Sequence, residues 1–194
     1  MNSGRKPEAY TMKWIRWLQR WLGHSTDRTN HGRMEGTMCE PYDPHQLLER
    51  VKSALVDLQW KFGEDAERLT LLMGYGGRHG LYFCVLQVHP EHPLIAFYTH
   101  LQCRVPEEKQ PTMTEYLARA NYGLWLGNFE MDLRDGEIRY KTSLHLADGE
   151  LTAEMLTALL RVNGDTLDRH LPGIMSVLWN DVSAEDGLGL TEAA

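Results

Sequence analysis

The feature that most constrains the fold is a pair of alternating segments joined by an Asp-Gly turn. From Asn128 to Leu133, apolar and polar residues alternate with the period of two that is typical of a half-buried strand. Asp135-Gly136 is a strong hairpin signal, because both central residues of a type I′ turn need positive φ. The predicted inward residues are Phe129, Met131 and Leu133 in the first strand and Ile138, Tyr140, Thr142 and Leu144 in the second. The sequence therefore predicts an antiparallel β-hairpin.

The segments before this hairpin predict two helices and three strands. Asp43 is a good N-cap for a helix that we expect to end at Gly63. A T-x-x-E capping box at Thr112 predicts a second helix, which ends at Gly123. Apolar runs between the two helices predict strands near residues 68–73, 81–88 and 94–105.

The segments after the hairpin predict two further helices. Thr152 is the expected N-cap of the first helix, Asn163-Gly164 is expected to break it, and Asp165 begins the last helix, which Pro172 is expected to kink. The order α-β-β-β-α-β-β-α-α predicts an α+β fold, with an antiparallel sheet of about five strands and helices packed on one side. The other face of this sheet is a candidate interaction surface.

Composition divides the 194-residue chain into five parts. These are a disordered tail (1–11), an amphipathic helix (12–22), a linker (23–42), the α+β domain (43–182) and a flexible tail (183–194). Residues 1–33 hold seven Lys and Arg against two acidic residues, a net charge of +5, and the remainder holds 13 against 25, a net charge of −12. Because nucleic-acid binding needs a basic face, the acidic body predicts no nucleic-acid partner.

Residues 12–22 (MKWIRWLQRWL) are the most unusual segment. On a helix, their six apolar side chains share an arc of about 160°, with Lys, Gln and Arg opposite. These apolar residues are Trp14, Ile15, Trp17, Leu18, Trp21 and Leu22. Such a face either packs on its own domain or a second subunit, or lies in an anionic membrane surface; disorder is the third alternative. We favour packing, because short amphipathic helices are more often packed than membrane-bound.

The glycine-rich segment Gly74–Gly80 (GYGGRHG) resembles a phosphate-binding loop. Such a loop needs a helix after it, so that helix amides meet the phosphate. Because residues 81–88 are predicted to form a strand, we interpret the glycines as a hairpin connection.

No other motif indicates catalysis or metal binding. The candidate metal ligands are His79, His89, Glu91, His92 and His100. We interpret the His89–His92 turn as solvated, since a metal needs three or four ligands in fixed geometry. Three cysteines without ligand spacing predict free thiols in a reducing cytosol, with Cys84 and Cys103 buried. No nucleophile or carboxylate pair has a recognisable catalytic context, so we expect no catalytic residues, metal or cofactor.

Trp125 lies between Gly123 and Gly127, where the chain passes from helix to strand. The leading expectation is burial in the core. The alternative is partial exposure at a partner groove, because tryptophan is enriched in binding hot spots.

Two runs carry a family resemblance: YLARANYGLWLGNFEMDLRDGEIRY at 116–140 and LDRHLPGIMSVLW at 167–179. They resemble the YbjN-domain family, a bacterial group described as sensory-transduction regulators, and the resemblance covers about residues 43–187. The matching positions are Asn121, Gly123, Gly127, Asn128, Phe129 and Gly136. The resemblance implies a fold similar to type III secretion chaperones, which are often dimeric and bind other proteins without catalysis. It defines no catalytic residues.

Together these observations predict a non-catalytic protein-interaction module, chaperone- or adaptor-like, cytoplasmic and homodimeric. Its predicted contact residues are the six apolar residues of the 12–22 helix and Trp125. The alternative is a regulator at the inner-membrane surface, anchored by residues 12–22. A small-ligand sensor or metal-binding enzyme is less favoured.

Overall fold

The computed structural model describes residues 42–146 and 150–192. The helices are α1 (Pro44–Asp57), α2 (Gln110–Tyr122), α3 (Ala153–Trp179) and α4 (Ala184–Glu192). The strands are β1 (Phe62–Asp65), β2 (Thr70–Gly76), β3 (Leu81–Val88), β4 (Leu94–Arg104), β5 (Asn128–Asp132) and β6 (Glu137–His145).

The strands form one antiparallel sheet in the order β1-β2-β3-β4-β6-β5. The antiparallel sheet is confirmed, but it has six strands rather than about five. The additional strand is β1, because α1 ends before Gly63. Gln59 adopts a left-handed φ of 60°, and the Trp60 N–H bonds to the Leu55 carbonyl at 2.9 Å, as in a Schellman motif. The four residues of β1 are too few to show alternation.

The β5–β6 hairpin forms as predicted, but with a different turn. Asp132 pairs with Glu137, so the loop contains four residues instead of two. In this loop only Gly136 has positive φ (73°), which excludes the type I′ turn. Glycine is required here, since a Cβ would lie 2.0 Å from the Val105 carbonyl oxygen. Leu133 lies in the turn and is 61% exposed instead of inward-facing.

One face of the sheet holds the main core and is covered by the helices. Phe97 of β4, Tyr140 of β6 and Tyr116 of α2 are among its largest fully buried side chains. Asn163 of α3 joins helix to sheet, because its amide donates to the carbonyls of Phe97 (2.8 Å) and Tyr140 (3.1 Å) and to the Thr142 hydroxyl (3.0 Å). We call this face the helix-covered face.

The predicted helix break at Asn163-Gly164 is wrong. α3 runs without interruption through both residues and contains Pro172. Asn163 is fully buried and makes the three hydrogen bonds described above. Gly164 packs against the Tyr75 ring, where a Cβ would lie 2.6 Å from a ring carbon. Both residues therefore serve close helix–sheet packing instead of ending the helix.

The flexible tail predicted at 183–194 instead contains α4. Ala184 and Thr191 are buried, and the Thr191 hydroxyl lies 3.1 Å from the Tyr116 hydroxyl of α2. Gly173 of α3 allows α4 to approach closely, because a Cβ there would lie 2.4 Å from the Gly187 carbonyl oxygen. α4 is thereby packed against α2 and α3.

Candidate protein-binding surfaces

The face of the sheet opposite the helices, which we call the second face, carries its own apolar cluster. Alternation along β2, β3 and β4 places these residues away from the main core. The cluster consists of Val85, Ala96 and Tyr98, with Leu72, Phe83 and Leu94 packed against it. Within the described residues it contains strand residues only. Val85, Ala96 and Tyr98 are 5%, 7% and 7% exposed.

Paired charges border this cluster on β5 and β6. Arg139 lies over the Tyr98 ring, 4.5 Å from its centroid, and donates to Glu130 at 2.7 Å. Lys141 also bonds to Glu130. Burial alone would raise the pKa of Glu130, but the hydrogen bonds and charges of Lys141 and Arg139 outweigh burial and hold it below its ordinary value. The border is therefore a network of fixed ion pairs.

His100 and Glu137 form a buried polar pair on the same face. Their side chains are 3% and 2% exposed, and His100 Nδ1 lies 2.6 Å from a Glu137 carboxylate oxygen. An Arg104 guanidinium nitrogen lies 3.4 Å from the second oxygen. Burial alone would raise the pKa of Glu137. The hydrogen bond and charge of His100 and the charges of Arg104 and Arg139 outweigh burial, so the pKa lies below its ordinary value. His100, a candidate metal ligand from the sequence, is thus engaged by a carboxylate.

The Gly74–Gly80 segment contains the end of β2 and the connection to β3, so the predicted hairpin connection is confirmed, at residues 77–80. Its amides already hold an anion, the Asp168 carboxylate of α3. This carboxylate accepts the N–H groups of Arg78 and His79 at 2.8 Å each and the Tyr82 hydroxyl at 2.6 Å. Gly77 permits the approach, since a Cβ there would lie 2.3 Å from an Asp168 oxygen. Because the protein's own carboxylate occupies these donors, the segment does not offer them to a phosphate.

The histidine-containing turn between β3 and β4 is also internally bonded. His89 Nδ1 accepts the N–H groups of Glu91 (3.1 Å) and His92 (3.2 Å), and the two imidazole rings stack at 4.8 Å. Across residues 42–146 and 150–192, no group of three or more His, Cys, Asp or Glu side chains is arranged to hold a metal ion.

The two described cysteines lack the properties of nucleophiles. Cys84 is fully buried, and burial raises the pKa of its thiol to about 11. Burial also raises the pKa of Cys103, which is partly exposed. Both thiols are therefore protonated at neutral pH, whereas the thiolate is the reactive form.

A groove of about 380 Å³ lies between α2 and the segment that leads into α4. Half of its ten lining residues are charged, and both of its cations have partners. Lys109 pairs with Asp181, and Arg119 bonds to Glu115 at 2.8 Å. The groove thus presents paired charges along its walls.

Trp125 is fully exposed, so the leading expectation of core burial is wrong. It is 102% exposed, Tyr122 is 96% exposed and Leu126 is 42% exposed. We call these three residues the aromatic loop. The chain leaves α2 at Gly123 and enters β5 at Asn128, and the intervening loop directs Trp125 away from the core. Sequence reasoning did name Trp125 as a candidate contact residue.

The base of the aromatic loop is held by Asn121, at the end of α2. Its side-chain amide accepts the Phe129 N–H at 2.7 Å and donates to the Phe129 carbonyl at 3.1 Å. Gly127 has φ +83° and lies so close to β6 that a Cβ would be 2.5 Å from the Lys141 carbonyl oxygen. The loop is therefore anchored on both sides of Trp125.

The other predicted contact residues, in the amphipathic segment 12–22, lie outside the described residues. None of the helices in the described part of the chain is long and apolar enough to cross a membrane. Sequence reasoning missed Tyr98, Arg139 and Glu137 on the second face. The continuous apolar run L-I-A-F-Y in β4 was the available signal, because a strand with apolar residues on both sides predicts two buried faces.

These observations define an α+β domain with one antiparallel sheet, helices on one face and an apolar cluster on the other. The sequence profile of the YbjN family, described as "Putative bacterial sensory transduction regulator", matches residues 47–175. The chain belongs to this family, and the resemblance seen in the sequence is confirmed.

A solved structure from the same family shows the same fold. The crystal structure of YbjN from E. coli, described as "a putative transcription regulator", is similar with a TM-score of 0.51 and 17% identity, covering 69% of this chain and 90% of that chain. The structure of the HopA1-SchA chaperone-effector complex contains a chain with a TM-score of 0.43 and 15% identity, covering 78% and 99%. A search of curated proteins finds no match.

Proposed function

We propose that this YbjN-family protein is a non-catalytic protein-interaction module, an adaptor- or chaperone-like regulator in bacterial signalling. The observation that carries the proposal is the aromatic loop. A fully exposed tryptophan follows three positions after an almost fully exposed tyrosine, and these two residue types are enriched in binding hot spots.

The anchoring of this loop supports the same function. Asn121 and Gly127 fix the backbone on either side of Trp125, so little conformational entropy is lost when a partner closes over the side chain. A partner with an apolar pocket and a polar rim is the matching chemistry.

The state of the titratable groups supports a non-catalytic role. Asp168, Glu130 and Glu137 hold amides or cations, and their pKa values are below the ordinary range despite burial. General acid–base catalysis instead needs a group with a pKa near the working pH. These carboxylates act as structural anions.

The test is affinity capture from a lysate of the source bacterium with three forms of the full chain. We expect the wild type and Trp179→Ala to retain the same proteins and Trp125→Ala to lose them. Trp179 is the matched control, since it is also an exposed tryptophan (65%) but lies at the end of α3. For a captured partner, loss of a hot-spot tryptophan weakens binding by roughly 30-fold or more.

Retention of the same proteins by Trp125→Ala would contradict the proposal. Both substitutions remove exposed side chains, so each changes the free energy of unfolding by less than about 0.5 kcal/mol. Urea unfolding of the three forms checks this and separates lost binding from lost folding.

The proposal includes a cytosolic homodimer. Light scattering at micromolar concentration should give twice the mass of one chain, and a monomer alone would contradict that part. The alternative function is a regulator at a membrane surface, favoured by the three tryptophans opposite basic residues in 12–22. It requires salt-sensitive binding to anionic vesicles that is lost when Trp14, Trp17 and Trp21 become alanine.

A further inference from the structure

His170 of α3 is a buried histidine that packs against α2 and β5. It is 4% exposed. Its Nδ1 lies 3.1 Å from the Tyr116 hydroxyl of α2, and the same hydroxyl lies 3.1 Å from the Thr191 hydroxyl of α4. On the β5 side, its ring meets the Phe129 ring edge-to-face, with the two centroids 5.0 Å apart. The imidazole is therefore enclosed by aromatic rings and a hydroxyl group.

The surroundings of this ring contain nothing that balances a positive charge. Of the groups that α2, β5 and α4 place around it, only Tyr116 is titratable, and burial raises the pKa of its hydroxyl, so it stays neutral. The charge that acts on the ring is the cation of Arg169, and in the described part of the chain no carboxylate is paired with it. Because a buried cation without a carboxylate is costly, a proton on His170 favours a form in which the ring reaches water.

Phe129 connects His170 to the aromatic loop. Its ring contacts those of both His170 and Tyr140, whose centroids lie 5.0 Å and 4.8 Å away. The Tyr140 hydroxyl donates to the carbonyl of Leu126 in the aromatic loop. The backbone N–H and carbonyl of Phe129 are bonded to the Asn121 side chain. Two of the contacts that fix the loop therefore involve Phe129 or its ring partner.

We propose that protonation of His170 loosens the aromatic loop and thereby weakens the binding of a partner protein there. This inference rests on the proposed function, because it concerns the regulation of the same site. The two states are the closed domain with a neutral, buried ring and a locally open form with a charged, hydrated ring. In the open form Phe129 loses one of its two ring partners, so the order that lowers the entropic cost of binding at Trp125 is lost.

Hydrogen exchange of the full chain, measured by NMR without a partner, tests this coupling. The probe is the Phe129 N–H, which Asn121 accepts at 2.7 Å. After correction for the pH dependence of free-amide exchange, its protection should fall by about 15-fold between pH 6.5 and pH 5. The reason is that a histidine with a pKa near 6.5 in the open form takes up protons that the closed form, with a pKa of about 4, does not. Unchanged protection would overturn the proposal.

A second amide distinguishes local opening from unfolding of the whole domain. The Trp60 N–H bonds to the Leu55 carbonyl at the end of α1, in a stretch without histidine. It opens by fraying of the helix end, so its protection should not change over the same pH range. An equal fall at Trp60 and Phe129 would also overturn the proposal.

Two variants assign the response to one side chain. His170→Gln should abolish the fall in protection at Phe129, whereas His45→Gln, at an exposed position, should keep it. A fall that persists in His170→Gln would overturn the proposal. If His170→Gln does not fold, the ring signals of His170 in the wild type give the same decision. They should show a neutral imidazole down to pH 5, and titration at the ordinary pKa of histidine would overturn the proposal.

These measurements can fail independently of the proposed function. Affinity capture with Trp125→Ala tests whether the aromatic loop binds a partner. Hydrogen exchange tests whether a proton on His170 loosens that loop, and it needs no partner.

Discussion

The two faces of the sheet are made from the same strands but differ in how their side chains are held. In β4, Phe97 points into the helix-covered face and is fully buried, while its neighbour Tyr98 lies on the second face under Arg139. The helix-covered face is one continuous core, and the second face is a small apolar cluster with an ion-pair border. The difference indicates that stability resides mainly under the helices.

The largest expected effect comes from removing one phenylalanine from each face. Phe97→Ala leaves a cavity under the helices and should lower the free energy of unfolding by about 4 kcal/mol. Phe83→Ala, at the half-buried edge of the second-face cluster, should lower it by about 1 kcal/mol. Urea denaturation with unchanged m-values measures both. Equal losses would show that the two faces are packed alike.

The next-largest expected effect comes from removing one carboxylate from each face of the sheet. Asp168→Ala removes the acceptor of two backbone amides and of the Tyr82 hydroxyl, and should cost about 3 kcal/mol. Glu130→Ala removes partly exposed ion pairs and should cost about 1 kcal/mol, less at high salt. Thermal unfolding at low and high salt distinguishes them. A strong salt dependence for Asp168→Ala would contradict the structural role assigned to it.

The smallest expected effect is a pH dependence of the free energy of unfolding that arises on the helix-covered face. His170 lies against Phe129 and Tyr116, and burial, with a smaller contribution from Arg169, lowers its pKa to about 4. A histidine in the unfolded chain has a pKa near 6.5. The contribution of the buried, neutral ring to the free energy of unfolding is therefore fully present above pH 6.5 and is lost as the pH falls towards 4. Between pH 6.5 and 5 the loss is about 2 kcal/mol.

This pH window separates the two faces. The pKa of Glu137 on the second face is lowered. Its contribution to the free energy of unfolding is therefore fully present above the ordinary pKa of glutamate and is lost only in more acidic solution. His170→Gln should therefore remove most of the dependence between pH 6.5 and 5, whereas His45→Gln, at an exposed position, should keep it. Chemical denaturation at several pH values is the measurement. If the free energy of unfolding of His170→Gln changed with pH as it does in the wild type, another group would be the cause of the dependence.

Local signals explain what could be predicted from the sequence. The hairpin at Asn128–His145 follows from alternation on both sides of one turn, and the Asp43 N-cap accepts the His45 N–H at 2.9 Å as expected. Even there, the turn type was wrong, because the Gly136 backbone is placed by contact with Val105, 31 positions earlier in the chain. A contact between residues so far apart in the chain cannot be predicted from the local sequence.

The failures share this cause. Asn163-Gly164 is a helix-breaking pair in isolation. Here the side-chain amide of Asn163 donates to the carbonyl of Phe97, 66 residues away, and the helix continues. The small, acidic segment at 184–192 is a helix that packs closely on α3, where Gly187 lies against Gly173. For the candidate surfaces, Trp125 could be named from its residue type, but its exposure depends on the loop geometry. Asp168 as the anion of the glycine-rich segment required the tertiary structure.

The side-chain amide of Asn121 has a consequence for assembly. It occupies both backbone groups of Phe129 on the outer edge of β5, which are the groups that a strand from another molecule would use. An incoming strand would first have to displace this amide, so the β5 side resists edge-to-edge polymerisation.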